Sequence, residues 1–266
     1  MNKENCKTIN LEKGLISIYE NNGVKLYAYK TNDYIDDEVF IVEKNGLGVS
    51  IELPCFYDNI KELESFIKEN NITLVAKLVA YHGAGASFMK EVKTYGTETS
   101  ISYNTVGGGA ALVKKFTGAF GPIFDPEVAQ DVTVLADGKV TLGGIEFVII
   151  SNNDAYTIEI PEINCVYTHM LGHDCHSIVA GEPHAEAIIN ELNSYLNRGF
   201  DFILTSHYTP EDQKDVNTKI AYLNKVESIA HTCFSQAEMK TKMEEAFPEY
   251  SGANYLDMSV GFFFSK

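Results

Sequence analysis

Seven histidines carry most of the chemistry available to this chain, and three of them crowd into one stretch, His169-Met-Leu-Gly-His173-Asp174-Cys-His176. Imidazole binds zinc, iron or nickel and exchanges protons near neutral pH. If that stretch is helical, His169, His173 and His176 share a face, because their spacing is i, i+4, i+7. Two further histidines, His82 and His207, each stand just past an apolar run, Thr73–Ala80 and Phe200–Thr205. A hydrolytic zinc site needs about three protein ligands and an open position for water. His82, His207 and part of the 169–176 cluster have the right chemistry for one ion.

The elements that must position these residues are legible as alternating apolar runs and turn signals. Leu15–Tyr19, Lys25–Tyr29, Glu38–Val42 and Gly48–Leu53 read as strands, separated by Asn-Asn-Gly, Asn-Asp and Asn-Gly. Asp58–Asn70 carries Ile60, Leu63, Phe66 and Ile67 at helical spacing and leads into the strand Thr73–Ala80. Strand-like runs recur at Ser100–Tyr103, Val132–Leu135, Lys139–Leu142, Ile145–Ser151, Thr157–Ile160 and Cys165–Tyr167, with a helix near Gly109–Phe116. Glu186–Leu196 is a second amphipathic helix before the strand Phe200–Thr205; Asp215–Ala230 and Gln236–Ala246 are helical. The aromatic tail Gly261–Phe264 reads as a buried strand or as a subunit contact, the latter implying a homo-oligomer. Asp58–His82 and Glu186–His207 thus repeat one plan: helix, turn, apolar strand, histidine. Two such units predict two sheets with helices outside, and strand C-terminal ends are where ligands gather.

This order resembles the metallo-β-lactamase superfamily over nearly the whole chain. Ile51-Glu52-Leu53 stands where that family often has Ile-Asp-Thr-Gly, and His82-Gly-Ala84-Gly-Ala86-Ser87 stands where it has H-x-H-x-D-H. Asn152-Asn153 falls where a further histidine is expected, Thr168-His169-Met170 near the bridging aspartate, and Ser206-His207-Tyr208 at the last ligand. The resemblance implies an α/β fold, a four-layer αββα sandwich of two mainly antiparallel or mixed sheets, as one domain over residues 1–266. It also implies an eroded centre, because Ala84 and Ala86 cannot coordinate a metal. Three functions follow as expectations. The first is a non-catalytic, pseudoenzyme-like protein binding an unidentified small molecule through Ser87, Asn153, His82 and His207, with Asp174 and His176 also lining the pocket. The second is a hydrolase-like enzyme with a single zinc or iron on His82, His207 and the His169–His176 cluster, with His169 and His173 its candidate ligands. The third is a metal-free hydrolase built on Ser87.

Other motifs lead less far. His82-Gly-Ala-Gly is similar to an oxyanion-hole loop, but no G-x-S-x-G elbow accompanies it. Ser87-Phe-Met-Lys90 matches S-x-x-K, a four-residue pattern that arises by chance. Gly107-Gly-Gly109 before Lys114 and Lys115 suits an anion cradle or a tight turn, and it is not a P-loop.

Composition excludes whole classes of partner. Acidic residues outnumber basic ones 37 to 21, for a net charge of −16. Arg198 is the sole arginine, so phosphate-backbone recognition and nucleic-acid binding are not expected. Met1–Gly14 is polar, and no apolar run has the length of a membrane span, so a soluble, cytoplasmic protein is the expectation. Cys6, Cys55, Cys165, Cys175 and Cys233 are odd in number and irregularly spaced, which reads as free thiols.

Overall fold

The computed structural model describes residues 1–169 and 172–264. Its strands are β1 (Lys7–Asn10), β2 (Leu15–Asn21), β3 (Val24–Lys30), β4 (Glu38–Lys44), β5 (Leu47–Ile51), β6 (Thr73–Leu78), β7 (Thr94–Gly96), β8 (Val132–Val134), β9 (Gly138–Leu142), β10 (Ile145–Ser151), β11 (Tyr156–Ile160), β12 (Cys165–Thr168), β13 (Phe202–Thr205) and β14 (Tyr208–Glu211). The helices are α1 (Tyr57–Glu69), α2 (Glu98–Thr105), α3 (Gly108–Phe120), α4 (Glu182–Arg198), α5 (Gln213–Ala230), α6 (Gln236–Ala246) and α7 (Ala253–Phe264). Among the described residues, no helix is long and apolar enough to cross a membrane.

Residues 1–169 and 201–210 form one compact unit. Strands β1 to β8 pair in chain order in one sheet, antiparallel as far as β5 and parallel from β5 to β8. The second sheet runs β14-β13-β12-β11-β10-β9, with β12 and β13 parallel. Asn22-Gly23 and Asn45-Gly46 have positive φ at both residues, the mirror-image turn that matches the strand twist, and so close the β2–β3 and β4–β5 hairpins.

Alternation then sorts the side chains. Val24, Leu26, Ala28, Phe40, Val42, Val49 and Ile51 meet Phe147, Ile149, Ile158, Ile160, Tyr167, Phe202 and Leu204 in the core between the sheets. Tyr27, Tyr29, Val39 and Ile41 face outward and cover Ile60, Leu63, Phe66 and Ile67 of α1. A register shift at Gly48/Val49 pairs Gly48 with Leu74 but Val49 with Ala76. Leu74 consequently packs with the outer cluster, whereas Ala76, Leu78 and Ala80 belong to the inner core. That shift decides which face of β6 leads into His82.

Residues 172–200 and 211–264 form the second unit, built on α4 to α7. An Asp212–Asp215 capping box starts α5. Lys219, buried on α5, donates from Nζ to the carbonyls of Gly172 and Cys175, each at 2.8 Å, and so fixes the segment that carries His173.

Two local expectations are corrected. Ser100–Tyr103 lies in helix α2, because Thr97 caps it by accepting the Ser100 N–H. The aromatic tail is helical rather than a strand: α7 buries Leu256, Ser259 and Val260 at helical spacing and leaves Phe262 exposed. All five cysteines are free thiols.

Candidate metal centre

Three strand ends converge in the first unit. His82 follows β6, His169 follows β12 directly, and His207 lies two residues past β13. Because β12 and β13 are parallel and in register at Thr168 and Thr205, their C-terminal ends deliver His169 and His207 to one edge. One ring nitrogen from each of the three histidines lies within 4.8 Å of the other two. The Nε2 atoms of His82 and His169 are 3.2 Å apart. Nitrogens bound tetrahedrally to zinc lie about 3.3–3.4 Å apart at ordinary Zn–N lengths. The ring centroids stand at 4.8 Å for His82–His207 and at 5.2 Å for the two pairs made with His169.

Hydrogen bonds choose the tautomers. His207 Nδ1–H donates to the Ile35 carbonyl at 3.2 Å, leaving its Nε2 lone pair free. Asp37 Oδ1 lies 3.4 Å from His82 Nδ1 and 3.3 Å from His207 Nδ1. A carboxylate behind two imidazoles is the arrangement that orients metal-binding histidines. Asp37 is fully buried, and this oxygen has no hydrogen-bond partner. Burial, then the charge of Asp33, raises its carboxyl well above the usual range. Burial and the neighbouring rings hold His82 well below the ordinary histidine range. His169 offers part of its surface to solvent, but its ring is packed against Tyr81, His82 and His207, and desolvation with His207 lowers it too. Burial likewise lowers His207, against the pull of the Ile35 carbonyl. All three imidazoles are therefore neutral at pH 7, the form that binds metal.

One buried carboxylate ties the three loops together. Glu52, at the end of β5, has a left-handed backbone (φ 61°) and is fully buried. Its Oε1 accepts the Tyr81 N–H at 2.8 Å and the Tyr167 hydroxyl at 2.5 Å; its Oε2 accepts the His82 N–H at 3.0 Å. With the Tyr167 proton committed to Glu52, the Ser206 hydroxyl, 2.6 Å away, donates to the Tyr167 oxygen. Glu52 thus holds the His82 loop, the strand before His169 and the residue before His207. Tyr81 stacks on the His169 ring at 4.5 Å and is itself fixed by Asn152 Nδ2 at 2.8 Å.

The other expected site residues make contacts of their own. Ser87 donates its N–H to Asp125, and Asn153 is exposed beside the Asn152 that reaches Tyr81. His173 is in the second unit, with Nδ1 3.1 Å from Glu211 and Nε2 3.4 Å from Asp215; its bond to Glu211 raises its pKa. Asp174 is exposed, and His176 is buried among Tyr222, Phe247 and Tyr250 with Nδ1 3.1 Å from the Tyr222 hydroxyl. Residues 172–180 are not helical, so the cluster does not share a helix face; Met170 lies outside the described residues. Sequence reasoning missed Asp37, and its only signal was an Asp36-Asp37 pair opening a strand.

No protein-family model and no curated protein matches the sequence. Solved structures do match in shape. A metallo-beta-lactamase family protein from Thermus thermophilus superposes with a TM-score of 0.61 at 12% identity, over 91% of this chain and 92% of its own. The sec-alkyl sulfatase PisA1, as a double mutant, gives 0.60 at 13% identity, over 89% of this chain and 49% of its own. A metallo-beta-lactamase from Erythrobacter litoralis gives 0.53 at 12% identity, over 82% of this chain and all of its own. At such identities the likeness establishes the fold, two mixed sheets flanked by helices in the metallo-β-lactamase αββα arrangement.

Proposed function

We propose that the protein holds one divalent transition-metal ion, zinc or iron, on His82, His169 and His207, and that it hydrolyses a small-molecule substrate there. The observation that carries this reading is the convergence of three neutral imidazoles from three separate strand ends within 4.8 Å. The fit is to one ion, because Ala84, Ala86 and Ser87 occupy positions where a dinuclear centre of this fold would have ligands. An ion so held supplies Lewis acidity, polarising a carbonyl or sulfuryl oxygen and making water more acidic. The chain's residues do the rest. His207 presents Nε2 because Ile35 takes its Nδ1 proton, and Asp37 sits behind the Nδ1 of His82, where it can orient that ring. Tyr81 walls one side of the site against His169.

The test is metal content of tag-free protein, supplied in turn with zinc and iron, with hydrolysis assayed on β-lactams and alkyl sulfate esters as the first substrate classes. The expected result is one ion held on the three histidines, lost in His82→Ala and His169→Ala, with activity tracking that ion. Protein that takes up neither metal overturns the reading. A second reading, a non-catalytic small-molecule-binding protein, is favoured by the alanines at 84 and 86; full metal occupancy without hydrolysis of any class would support it.

A further inference from the structure

Asp37 has a second side. Its Oδ1 faces His82 and His207, whereas its Oδ2 faces Cys55, whose Sγ lies 3.4 Å away. Asp33, Asp37 and Cys55 each offer a donor atom within 4.8 Å of the other two, a group distinct from the three histidines.

The loop joining β3 to β4 builds this cluster. Thr31 donates both its N–H and its hydroxyl to the Asp37 carbonyl, and Asp33 Oδ1 accepts the Ile35 N–H at 2.9 Å. These bonds leave Asp33 Oδ2 buried with no partner, as Asp37 Oδ1 is on the histidine side. Asp37 is fully buried and Cys55 is 2% exposed. Among the described residues, no lysine or arginine pairs with either aspartate. Two neighbouring carboxyl groups out of water, with one weak S–H donor between them, are costly to ionise unless a cation compensates them. A thiol beside two carboxylates also selects the cation: hard ions favour oxygen alone, whereas borderline ions such as zinc and cobalt accept sulfur and oxygen together.

We infer that Asp33, Asp37 and Cys55 form a second cation site, for a thiophilic divalent ion, which shares Asp37 with the histidine centre. On binding, the Cys55 S–H bond breaks, its proton leaves to solvent together with any proton held on Asp37, and the sulfur electron pair is donated to the ion. The site goes beyond the proposed function and takes Asp33 and Cys55 as ligands of its own, so it does not need the histidine centre to be hydrolytic.

Cobalt(II) titration of the metal-free full chain tests it, with absorption spectra, bound metal and released protons recorded together. The expected result is two ions per chain and a near-ultraviolet thiolate-to-cobalt charge-transfer band. Cys55→Ser removes the band and one ion, and Asp33→Asn weakens that ion about tenfold or more. His169→Ala removes the other ion and keeps the band, which separates failure of this site from failure of the histidine centre. Circular dichroism checks that the variants are folded, and Asp33→Asn, on the loop, serves if Cys55→Ser is not. No thiolate band in the wild type, or a band that persists in Cys55→Ser, overturns the proposal.

Discussion

Replacing Glu52 by glutamine separates the positioning of the histidines from their chemistry. The side chain keeps its shape but loses one acceptor. A glutamine carbonyl at the Oε1 position keeps the Tyr81 N–H and the Tyr167 hydroxyl. Its amide nitrogen then meets the His82 N–H, a donor facing a donor. One buried hydrogen bond to a charged group is lost and one N–H is stranded, which costs about 1–3 kcal/mol. Removing a buried carboxylate returns part of this, because burial raises the Glu52 pKa against the hydrogen bonds that lower it. In a chain of this size each kcal/mol moves Tm by about 2–4 °C, so a fall on the order of 5 °C is expected. The displaced His82 backbone should weaken zinc binding about 10–100-fold, the usual effect of disturbing a group behind the ligands. Zinc affinity by competition with a chromophoric chelator, alongside thermal unfolding of the metal-free protein, reads both. A lower Tm with unchanged zinc affinity would refute the idea that Glu52 positions the metal centre.

Three further predictions follow from the same geometry. His169→Ala should remove one zinc per chain and His173→Ala none; equal loss in both, by mass spectrometry of the metal, would place His173 in the centre. For pH, the pKa values of His82, His169 and His207 are lowered in the fold, so below about pH 6.5 the unfolded chain binds more protons and the metal-free protein loses stability. Asp37 and Glu52, both raised, act in the opposite sense, gaining stability as acid protonates them in the fold. Urea midpoints from about pH 7.5 to 5.5 should therefore fall less steeply in a His82→Gln, His169→Gln double variant than in the wild type; parallel curves would contradict the assignment. Gly85 has φ +90° and a Cβ there would stand 2.1 Å from the Pro54 carbonyl oxygen, so Gly85→Ala should cost more than about 3 kcal/mol. A Gly85→Ala protein with a wild-type urea midpoint would show that the loop after His82 yields freely.

The strands and α1 were legible because their cause is local. Alternating Val24, Leu26 and Ala28, and helical Ile60, Leu63 and Phe66, declare their period within one turn or strand. His82 and His207 were legible as strand-end residues for the same reason. Asp37 was not, because its partners lie 45 and 170 positions away, and the Glu38 N–H bond to the Ser206 carbonyl that sets His207 beside it is a contact between distant segments. The 169–176 cluster misled in the opposite direction: close spacing suggested one shared face. In the fold, His169 ends a strand, His173 is bonded to Glu211, and His176 packs against Tyr222. The α2 and α7 readings failed where a Thr97 cap and a helical burial period outweighed an apolar run.

His82 and His169 are 87 positions apart in the chain, and His207 arrives later still. No two of these three imidazoles are near enough in sequence to chelate an ion before the sheets have closed. A chain emerging from the ribosome would therefore pass through most of its synthesis with no metal trap at this centre, and would acquire one only when β13 docks beside β12. Under the proposed function, capture of the ion would follow the docking of β13 and would add about 2.7 kcal/mol to the finished state at a hundredfold excess of free metal over Kd. The centre would then act as a proofreading mark on the fold: a chain in which β13 has not docked would lack this ion and stay easier to unfold and degrade.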